Sequence, residues 1–274
     1  MTQAKISFIG AGNMASSIIG GLVQKGFGAE QITATDTYQP TLDKVADSFP
    51  IVTTSDNAAA AVRAEVIVLA VKPQVMEQVC SDLRPHLAHK PLIISIAAGI
   101  DIRSLDAWLG NDLAIVRCMP NTPALVQTGA SGLFANERTS DEQKAIAQEI
   151  MEAVGIVQWT ASEDLIDSVI AVSGSGPAYY FLMMEAMIDA GVAQGLSREN
   201  ATELTLQTAL GAAKLAKDSD VDVIELRRRV SSPNGTTERA IQSFEENNLR
   251  DVVSKAMDAC AERSREMARE LGAQ

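Results

Sequence analysis

Strand-like runs and amphipathic segments follow one another along the chain as far as residue 161. The strand-like runs occupy residues 5–9, 31–35, 65–71, 92–96, 113–119 and 155–159. Short, nearly continuous apolar runs are typical of strands that are buried on both faces of a parallel sheet. Several of them end in small residues or proline, where a doubly wound sheet opens its ligand crevice. The pattern predicts an α/β domain built on a doubly wound sheet.

The pattern changes after residue 161, where strand-like runs stop and helical periodicity continues. We therefore expect two domains, residues 1–161 and residues 162–274, the second of which is all-helical. The last helix, residues 249–271, carries a seam of residues at spacings of three and four: Val253, Met257, Cys260, Ser264, Met267 and Leu271. Such a seam packs against a partner helix, which belongs either to the same chain or to a second subunit.

A glycine loop joins the first predicted strand to the first predicted helix. Residues 10–15 read Gly-Ala-Gly-Asn-Met-Ala and fit the pattern G-x-G-x-x-A. In a dinucleotide-binding unit, Gly10 allows the tight turn, Gly12 lets a pyrophosphate approach the backbone, and Ala15 lets the helix pack closely on the strand. The phosphates then lie on free amides at the helix N-terminus. Because strand, loop and helix come in the required order, we expect a Rossmann-like domain that binds NAD or NADP.

Asp36 follows the second predicted strand, 21 positions after Ala15. An acidic residue near this distance binds the adenosine ribose of NAD and repels the 2′-phosphate of NADP. Nearby hydroxyls on Thr35, Thr37 and Tyr38, together with the amine of Lys44, favour a phosphate instead. Both forms of the cofactor therefore stay open.

Two loops in the helical region carry candidate chemistry. Residues 173–178, Ser-Gly-Ser-Gly-Pro-Ala, interrupt an apolar helical pattern and indicate either a close helix crossing or the approach of a ligand. Residues 231–237, Ser-Ser-Pro-Asn-Gly-Thr-Thr, form a turn that leads into an amphipathic helix. Hydroxyls and free amides at a helix start suit a small anion such as a carboxylate. Because a single threonine would suffice as a cap, we expect this loop to bind a ligand.

Composition excludes several classes of function. The net charge of −12 argues against nucleic acid or an anionic membrane as the main partner. The three cysteines are scattered, and the two histidines lie in a polar stretch, so we expect neither a disulfide framework nor a metal site. No apolar run reaches the length of a membrane span and no signal-peptide pattern precedes the first strand, so we expect a cytoplasmic protein.

Six motifs together resemble those of the pyrroline-5-carboxylate reductases, in the order of that family. They are residues 9–15, 70–73, 95–99, 117–126, 173–179 and 232–237, and the resemblance covers the whole chain. Two positions depart from the family pattern. Asn234 stands where most members have a second glycine, and asparagine tolerates the left-handed conformation. Asp36 stands where members that use NADPH usually have a neutral residue.

The resemblance implies a Rossmann domain followed by a helical domain that interlocks with a second subunit, with further assembly into a ring of dimers in relatives. It implies that these residues line the NADP or NAD site: Ile9, Gly10, Ala11, Gly12, Asn13, Met14, Asp36, Asn57, Ala70, Val71, Lys72, Pro73, Ile96, Ala97 and Ala98. It implies that these line the substrate site: Glu163, Ser232, Gly235, Thr236 and Thr237. Thr237 is the candidate catalytic residue.

The implied reaction is the reduction of L-1-pyrroline-5-carboxylate to L-proline by NAD(P)H. A protonated imine accepts hydride without a histidine base, whereas alcohol oxidation needs a base to take the hydroxyl proton. A β-hydroxyacid dehydrogenase is the nearest alternative enzyme. It would need a catalytic lysine on the helix after the domain boundary, and residues 179–195 contain none. The alternative outside enzymes is a protein that binds NAD(P) without turnover, which an activity assay distinguishes.

Overall fold

The computed structural model describes residues 4–110 and 112–272, whose contacts form two compact units. The first unit contains the described residues up to Ser175 together with those from Cys260 onward. The second unit is Gly176–Ala259.

One eight-stranded sheet forms the centre of the first unit. Its strands are β1 (Ile6–Ile9), β2 (Ile32–Thr35), β3 (Val52–Thr54), β4 (Val66–Leu69), β5 (Leu92–Ser95), β6 (Ile115–Met119), β7 (Gly129–Ala135) and β8 (Gly155–Trp159). Their order across the sheet is β3-β2-β1-β4-β5-β6-β7-β8. All neighbours are parallel except β6 and β7, which are antiparallel. The first six strands have the order of a dinucleotide-binding fold, so the predicted fold class is confirmed.

Helices cover both faces of this sheet. The first unit contains α1 (Asn13–Gln24), α2 (Gln39–Ser48), α3 (Asn57–Arg63), α4 (Met76–Leu83), α5 (Ile102–Leu109), α6 (Asp141–Glu152) and α7 (Leu165–Val169). Successive strand residues point to opposite faces, so Phe8 and Val68 enter one apolar core while Ile9 and Leu69 enter the other. Burial on both faces explains why the strands read as continuous apolar runs.

The sequence pattern did not predict strand β7 or the short edge strand β3. The β7 sequence, Gly-Ala-Ser-Gly-Leu-Phe-Ala, is rich in small residues that disfavour strands when judged alone. Packing explains one of them, because a Cβ atom at Gly132 would lie 2.5 Å from a methyl group of Val169. Gly132 therefore serves the approach of α7 rather than a turn.

Helix α7 belongs by its contacts to the sheet unit. The sequence pattern places the domain boundary after residue 161, where strands end, whereas the compact unit continues to Ser175. Ile166 and Ile170 are buried, and Val169 packs on β7. A π-helical turn, Ile170–Gly174, follows α7, and a bend at Ser175 separates it from α8, so the predicted interruption of the helical segment is present.

The last helix, α12 (Leu249–Leu271), ends in the first unit. Met267 contacts Gly99, since a Cβ atom placed there would lie 3.0 Å from the Met267 Cβ. The Ser264 hydroxyl donates to Asp167 Oδ1 at 2.6 Å, and Leu271 packs on the apolar core beneath β4 and β5. For this part of the seam, the partner lies within the same chain.

The second unit is helical, with α8 (Gly176–Ala193), α9 (Arg198–Asp218), α10 (Val223–Arg229), α11 (Thr236–Glu246) and the start of α12. Helices α8 and α9 form its main contact. The α8 sequence is apolar around most of its circumference, yet Gly176 is its sole buried residue. Across the described part of the chain, no helix combines the length and apolarity that a membrane span requires.

Candidate active site

The glycine loop lies between β1 and α1, as the sequence predicts. Gly10 has φ +100°, its amide donates to Thr35 O at 2.9 Å, and a Cβ there would lie 2.8 Å from the carbonyl of Ala70. No side chain can therefore stand at position 10. Gly12 is the N-cap of α1, and no heavy atom lies within 4 Å of the place where its Cβ would be. The backbone is thus open above the helix N-terminus, as a pyrophosphate requires.

Asp36 reaches the glycine loop from the end of β2. Its Oδ2 accepts the Ala11 amide at 3.1 Å, and its Oδ1 accepts the Tyr38 amide at 2.9 Å. Asn57, the first residue of α3, lies beside it, with its Oδ1 2.6 Å from the Thr35 hydroxyl. The structure therefore brings Asp36 and Asn57 to the edge of the sheet where the glycine loop begins.

The remaining predicted cofactor residues lie at the carboxyl ends of the neighbouring strands. The Ala70 amide donates to Ile9 O at 2.8 Å, which joins the end of β4 to that of β1. The Ile96 amide donates to Leu69 O at 3.1 Å, which joins the end of β5 to that of β4. Pro73 begins a 3₁₀ turn, and its missing N–H suits that position. The strand order reverses between β1 and β4, which is where such folds bind ligands, so these residues fit a dinucleotide.

Glu163 is bound to two other parts of the first unit. Its Oε1 accepts the Ile102 amide at 2.8 Å and Arg117 Nη1 at 3.1 Å. Arg117 is 4% exposed, and its Nε and Nη2 have no partner among the residues that the structure describes. Burial raises the pKa of the Glu163 carboxyl, and this effect exceeds the opposing effects of the Ile102 amide and Arg117. Arg117 was not predicted as a site residue, because an arginine within an apolar strand carries no local signal of its partner.

The loop of residues 231–235 precedes α11 and lies in the second unit. Asn234 has φ +56°, the left-handed conformation that its residue type favours. Gly235 is the N-cap of α11, and no side-chain hydrogen bond caps the helix there. Thr236 and Thr237 are the first two residues of the helix. The hydroxyls of Ser232, Thr236 and Thr237 form no hydrogen bond within the described ranges.

Thr237 therefore does not act as the N-cap of α11. The amides of Thr236 and Thr237 have no acceptor within the helix, because they belong to its first turn. Glu238 was missed by the sequence analysis, and its Oε2 accepts the Asn234 amide at 2.7 Å. This bond stabilises the turn through a side chain of α11 itself. It leaves the hydroxyls and amides of the two threonines available to an anion.

The surroundings of Cys80, Cys118 and His89 indicate structural rather than catalytic roles. Burial raises the pKa of the Cys80 thiol to about 12, and burial also raises the pKa of Cys118, so neither is a nucleophile at neutral pH. His89 Nε2 lies 2.8 Å from Ala64 O. Within residues 4–110 and 112–272, no group of three or more histidine, cysteine or acidic side chains could hold a metal ion.

Comparison with protein families assigns two regions of the chain. Residues 163–267 match the model for pyrroline-5-carboxylate reductase dimerisation. Residues 5–99 match the model for the coenzyme F420-dependent NADP oxidoreductases.

Relatives match over the whole chain. The pyrroline-5-carboxylate reductase of Pseudomonas aeruginosa is 54% identical, over 99% of this chain and 100% of its own length. The reductase structure from Coxiella burnetii has a TM-score of 0.94 and 45% identity, covering 97% of this chain and 99% of that one. The Plasmodium falciparum reductase, whose structure has NADP bound, has a TM-score of 0.86 and 33% identity, covering 98% and 99%. The chain belongs to the pyrroline-5-carboxylate reductase family.

Proposed function

We propose that this protein reduces L-1-pyrroline-5-carboxylate to L-proline with NAD(P)H, the last step of proline biosynthesis. The observation that carries the proposal is the 54% identity to a reductase over 99% of the chain, which includes both the glycine loop and the Ser-Thr loop. The protein is an oxidoreductase that uses NAD(P)H. The family assignment excludes the β-hydroxyacid dehydrogenases as an alternative.

The glycine loop and the strand ends around it bind the cofactor. When bound, NAD(P)H supplies the hydride that adds to the imine carbon. The first-turn amides of α1 would hold the pyrophosphate, since the backbone at Gly12 is open. Asp36 and Asn57 face the adenosine ribose, and residues 70–73 and 96–98 line the nicotinamide half.

The loop of residues 232–237 binds the substrate. In a five-membered imine ring, the carbon that bears the carboxylate and the imine carbon flank the same nitrogen, so one loop can hold the anion and reach that nitrogen. Ser232, Gly235 and Thr236 bind the carboxylate through hydroxyl and amide groups, helped by the dipole of α11. The Thr237 hydroxyl forms a hydrogen bond with the imine nitrogen and orients the ring. Holding the imine carbon in the right geometry for hydride transfer accelerates the reaction. The resemblance also assigns Glu163 to the substrate site, and its Oε1 accepts two donors within the first unit.

The protein is a homodimer, as its dimerisation domain indicates. We further propose a ring of such dimers and a cytoplasmic location, where the supply of NAD(P)H supports biosynthesis. Light scattering tests the ring, because a ring of dimers has several times the mass of a single dimer.

The direct test is loss of NAD(P)H absorbance that depends on pyrroline-5-carboxylate, with L-proline identified as the product. Purified protein is assayed with NADPH and with NADH, and reactions without the imine measure any background oxidation. Turnover with either cofactor supports the proposal. Cofactor binding without turnover would instead identify a protein that only binds NAD(P).

A further inference from the structure

The segment of residues 96–100, between β5 and Asp101, has no polar side chain with which to hold itself in place, and the Asp101 carboxylate accepts the Ser104 amide of α5. Residues 96–100 read Ile-Ala-Ala-Gly-Ile, and residues 96–98 are those assigned to the cofactor. Within the segment, the Ile96 amide bonds to Leu69 O and the Ala97 amide lies 3.5 Å from Ser95 Oγ. Its position must therefore be set largely by neighbours from other parts of the chain.

Glu163 binds the far end of this segment. Its Oε1 accepts the amide of Ile102, the first residue of α5, at 2.8 Å. An amide in the first turn of a helix has no acceptor within the helix, and a carboxylate is its preferred partner. The bond crosses 61 positions of sequence, so it fixes the start of α5 against the segment that precedes α7.

The same oxygen also binds the strand beside the near end of the segment. Arg117 Nη1 donates to Glu163 Oε1 at 3.1 Å, and Arg117 is the β6 partner of Ser95, the last residue of β5. Arg117 is buried, and this is the ion pair that it makes among the described residues. One carboxylate thus connects the strand next to the start of the cofactor segment with the helix that follows its end.

Stability alone does not account for this arrangement. A buried ion pair contributes little net stability, because removing two charges from water offsets their attraction. The two guanidinium nitrogens of Arg117 that lack partners add to that penalty. We propose that Glu163, oriented by Arg117, is a positioning residue that holds residues 96–98 in the conformation that receives the cofactor. This role rests on the proposed function of these residues as the nicotinamide-side wall.

The test removes the bond from each end separately and measures the Kd of NADPH by fluorescence titration. Glu163→Met removes the acceptor. Ile102→Pro removes the donor and leaves the Glu163–Arg117 pair intact, because proline is accepted at the first position of a helix. Asp101 has ψ 165°, which is compatible with a following proline. We expect each variant to raise the Kd about 10-fold, as misplacement of a site wall does.

Matched controls separate positioning from general destabilisation. Glu163→Gln keeps an acceptor for the Ile102 amide, and Ile102→Val trims the buried side chain but keeps the N–H. We expect both controls to bind NADPH within about twofold of the wild type. Glu142→Met, an exposed residue in the first turn of α6, controls for the loss of a carboxylate. The double variant Ile102→Pro with Glu163→Met should bind no more weakly than either single one, since both remove the same bond.

A folded Ile102→Pro variant with the wild-type Kd would overturn the inference, and this result decides the question even if Glu163→Met does not fold. A Glu163→Gln variant as weak as Glu163→Met would also overturn it, because charge rather than the bond would then matter. The titration contains no imine, so it is independent of turnover. Failure of the wild-type protein to reduce pyrroline-5-carboxylate would count against the proposed function and leave the binding result unaffected.

Discussion

At the scale of single residues, Asp36 bears most directly on the choice between NADPH and NADH. Its carboxylate accepts the Ala11 amide of the glycine loop, a position that fits the proposed contact with the adenosine ribose of the cofactor. Both cofactors should be used, since the family setting favours NADPH while the negative charge at this position repels a 2′-phosphate.

We expect Asp36→Ser to improve kcat/KM for NADPH relative to NADH by about 1–2 kcal/mol, through loss of that repulsion. Steady-state kinetics with both cofactors measure the ratio. Asp47→Ser, an exposed residue on α2, is the control and should leave the ratio unchanged. An unaltered ratio in Asp36→Ser would mean that Asp36 does not face the ribose.

Thr237 is the residue through which the proposed chemistry is most easily tested. Thr237→Val preserves shape and removes the hydroxyl, so kcat/KM for the imine should fall about 10- to 100-fold, or about 1.4–2.8 kcal/mol. NADPH affinity should not change, because the proposed partner of the hydroxyl is the substrate and not the cofactor. The melting temperature should also stay unchanged, since Gly235 is the N-cap. Thr237→Ser keeps the hydroxyl and is the control; near-normal turnover by Thr237→Val would refute the assignment.

Glu163 makes a pH-dependent contribution to stability. Burial raises the pKa of its carboxyl above the usual value near 4.5. The folded protein therefore binds this proton more tightly than the unfolded chain, and the resulting stabilisation is complete below pH 4.5. It is lost as pH rises through the folded-state pKa.

As the pH rises from 4.5 to that higher value, the unfolding free energy of the wild type should fall relative to that of Glu163→Gln, whose side chain does not titrate. Urea unfolding of both proteins from about pH 4 to about pH 8, at one protein concentration, measures the difference. A difference that stays constant across this range would contradict the assigned direction.

At the scale of secondary-structure elements, α12 has a role that its seam alone did not specify. Met267 contacts Gly99 at the end of the predicted cofactor segment, and Ser264 bonds to Asp167 in α7. The apolar and small residues at this end of the helix therefore serve the folding of their own chain.

Met267→Ala should accordingly lower the unfolding free energy by about 1–3 kcal/mol, less than for a fully buried methionine because the side chain is half-buried. The dimer should persist. Denaturant unfolding and light scattering, each at fixed protein concentration, measure the two quantities. Conversion to monomers without loss of stability would instead place Met267 at the subunit interface.

At the scale of the whole molecule, the second unit exposes more apolar surface than a monomer can keep in water. Phe181 is 63% exposed and Leu182 is 66% exposed on α8, and Leu204 and Leu210 on α9 are 58% and 63% exposed. Extended exposed apolar surface of this kind marks a protein–protein interface. We expect a second copy of the chain to cover it, since residues 163–267 match a dimerisation domain.

A charge introduced on α8 should therefore prevent assembly. We expect Phe181→Glu to give monomers or aggregate, because a carboxylate would be buried without a partner. Size-exclusion chromatography with light scattering measures the mass. Val62→Glu, at an isolated exposed apolar residue on α3, is the control and should remain dimeric. A Phe181→Glu dimer with normal activity would exclude α8 from the interface.

The sequence by itself determined the features that depend on neighbours along the chain. The run of β1, the turn at Gly10 and the start of α1 follow from a few adjacent residues, and so does the left-handed turn at Asn234. The bounds of α12 agree with the predicted residues 249–271, since periodicity and capping are local properties.

Only the tertiary structure decided what depends on residues far apart in the sequence. Strand β7 is stabilised by its pairing with β6 and β8, and its small residues make sense only once α7 packs on Gly132. The end of α12 joins the sheet unit through Gly99 and Asp167, which lie about a hundred or more residues away. The Glu163–Arg117–Ile102 contact is of the same kind. No local pattern encodes it, because these hydrogen bonds form only when distant segments have packed together.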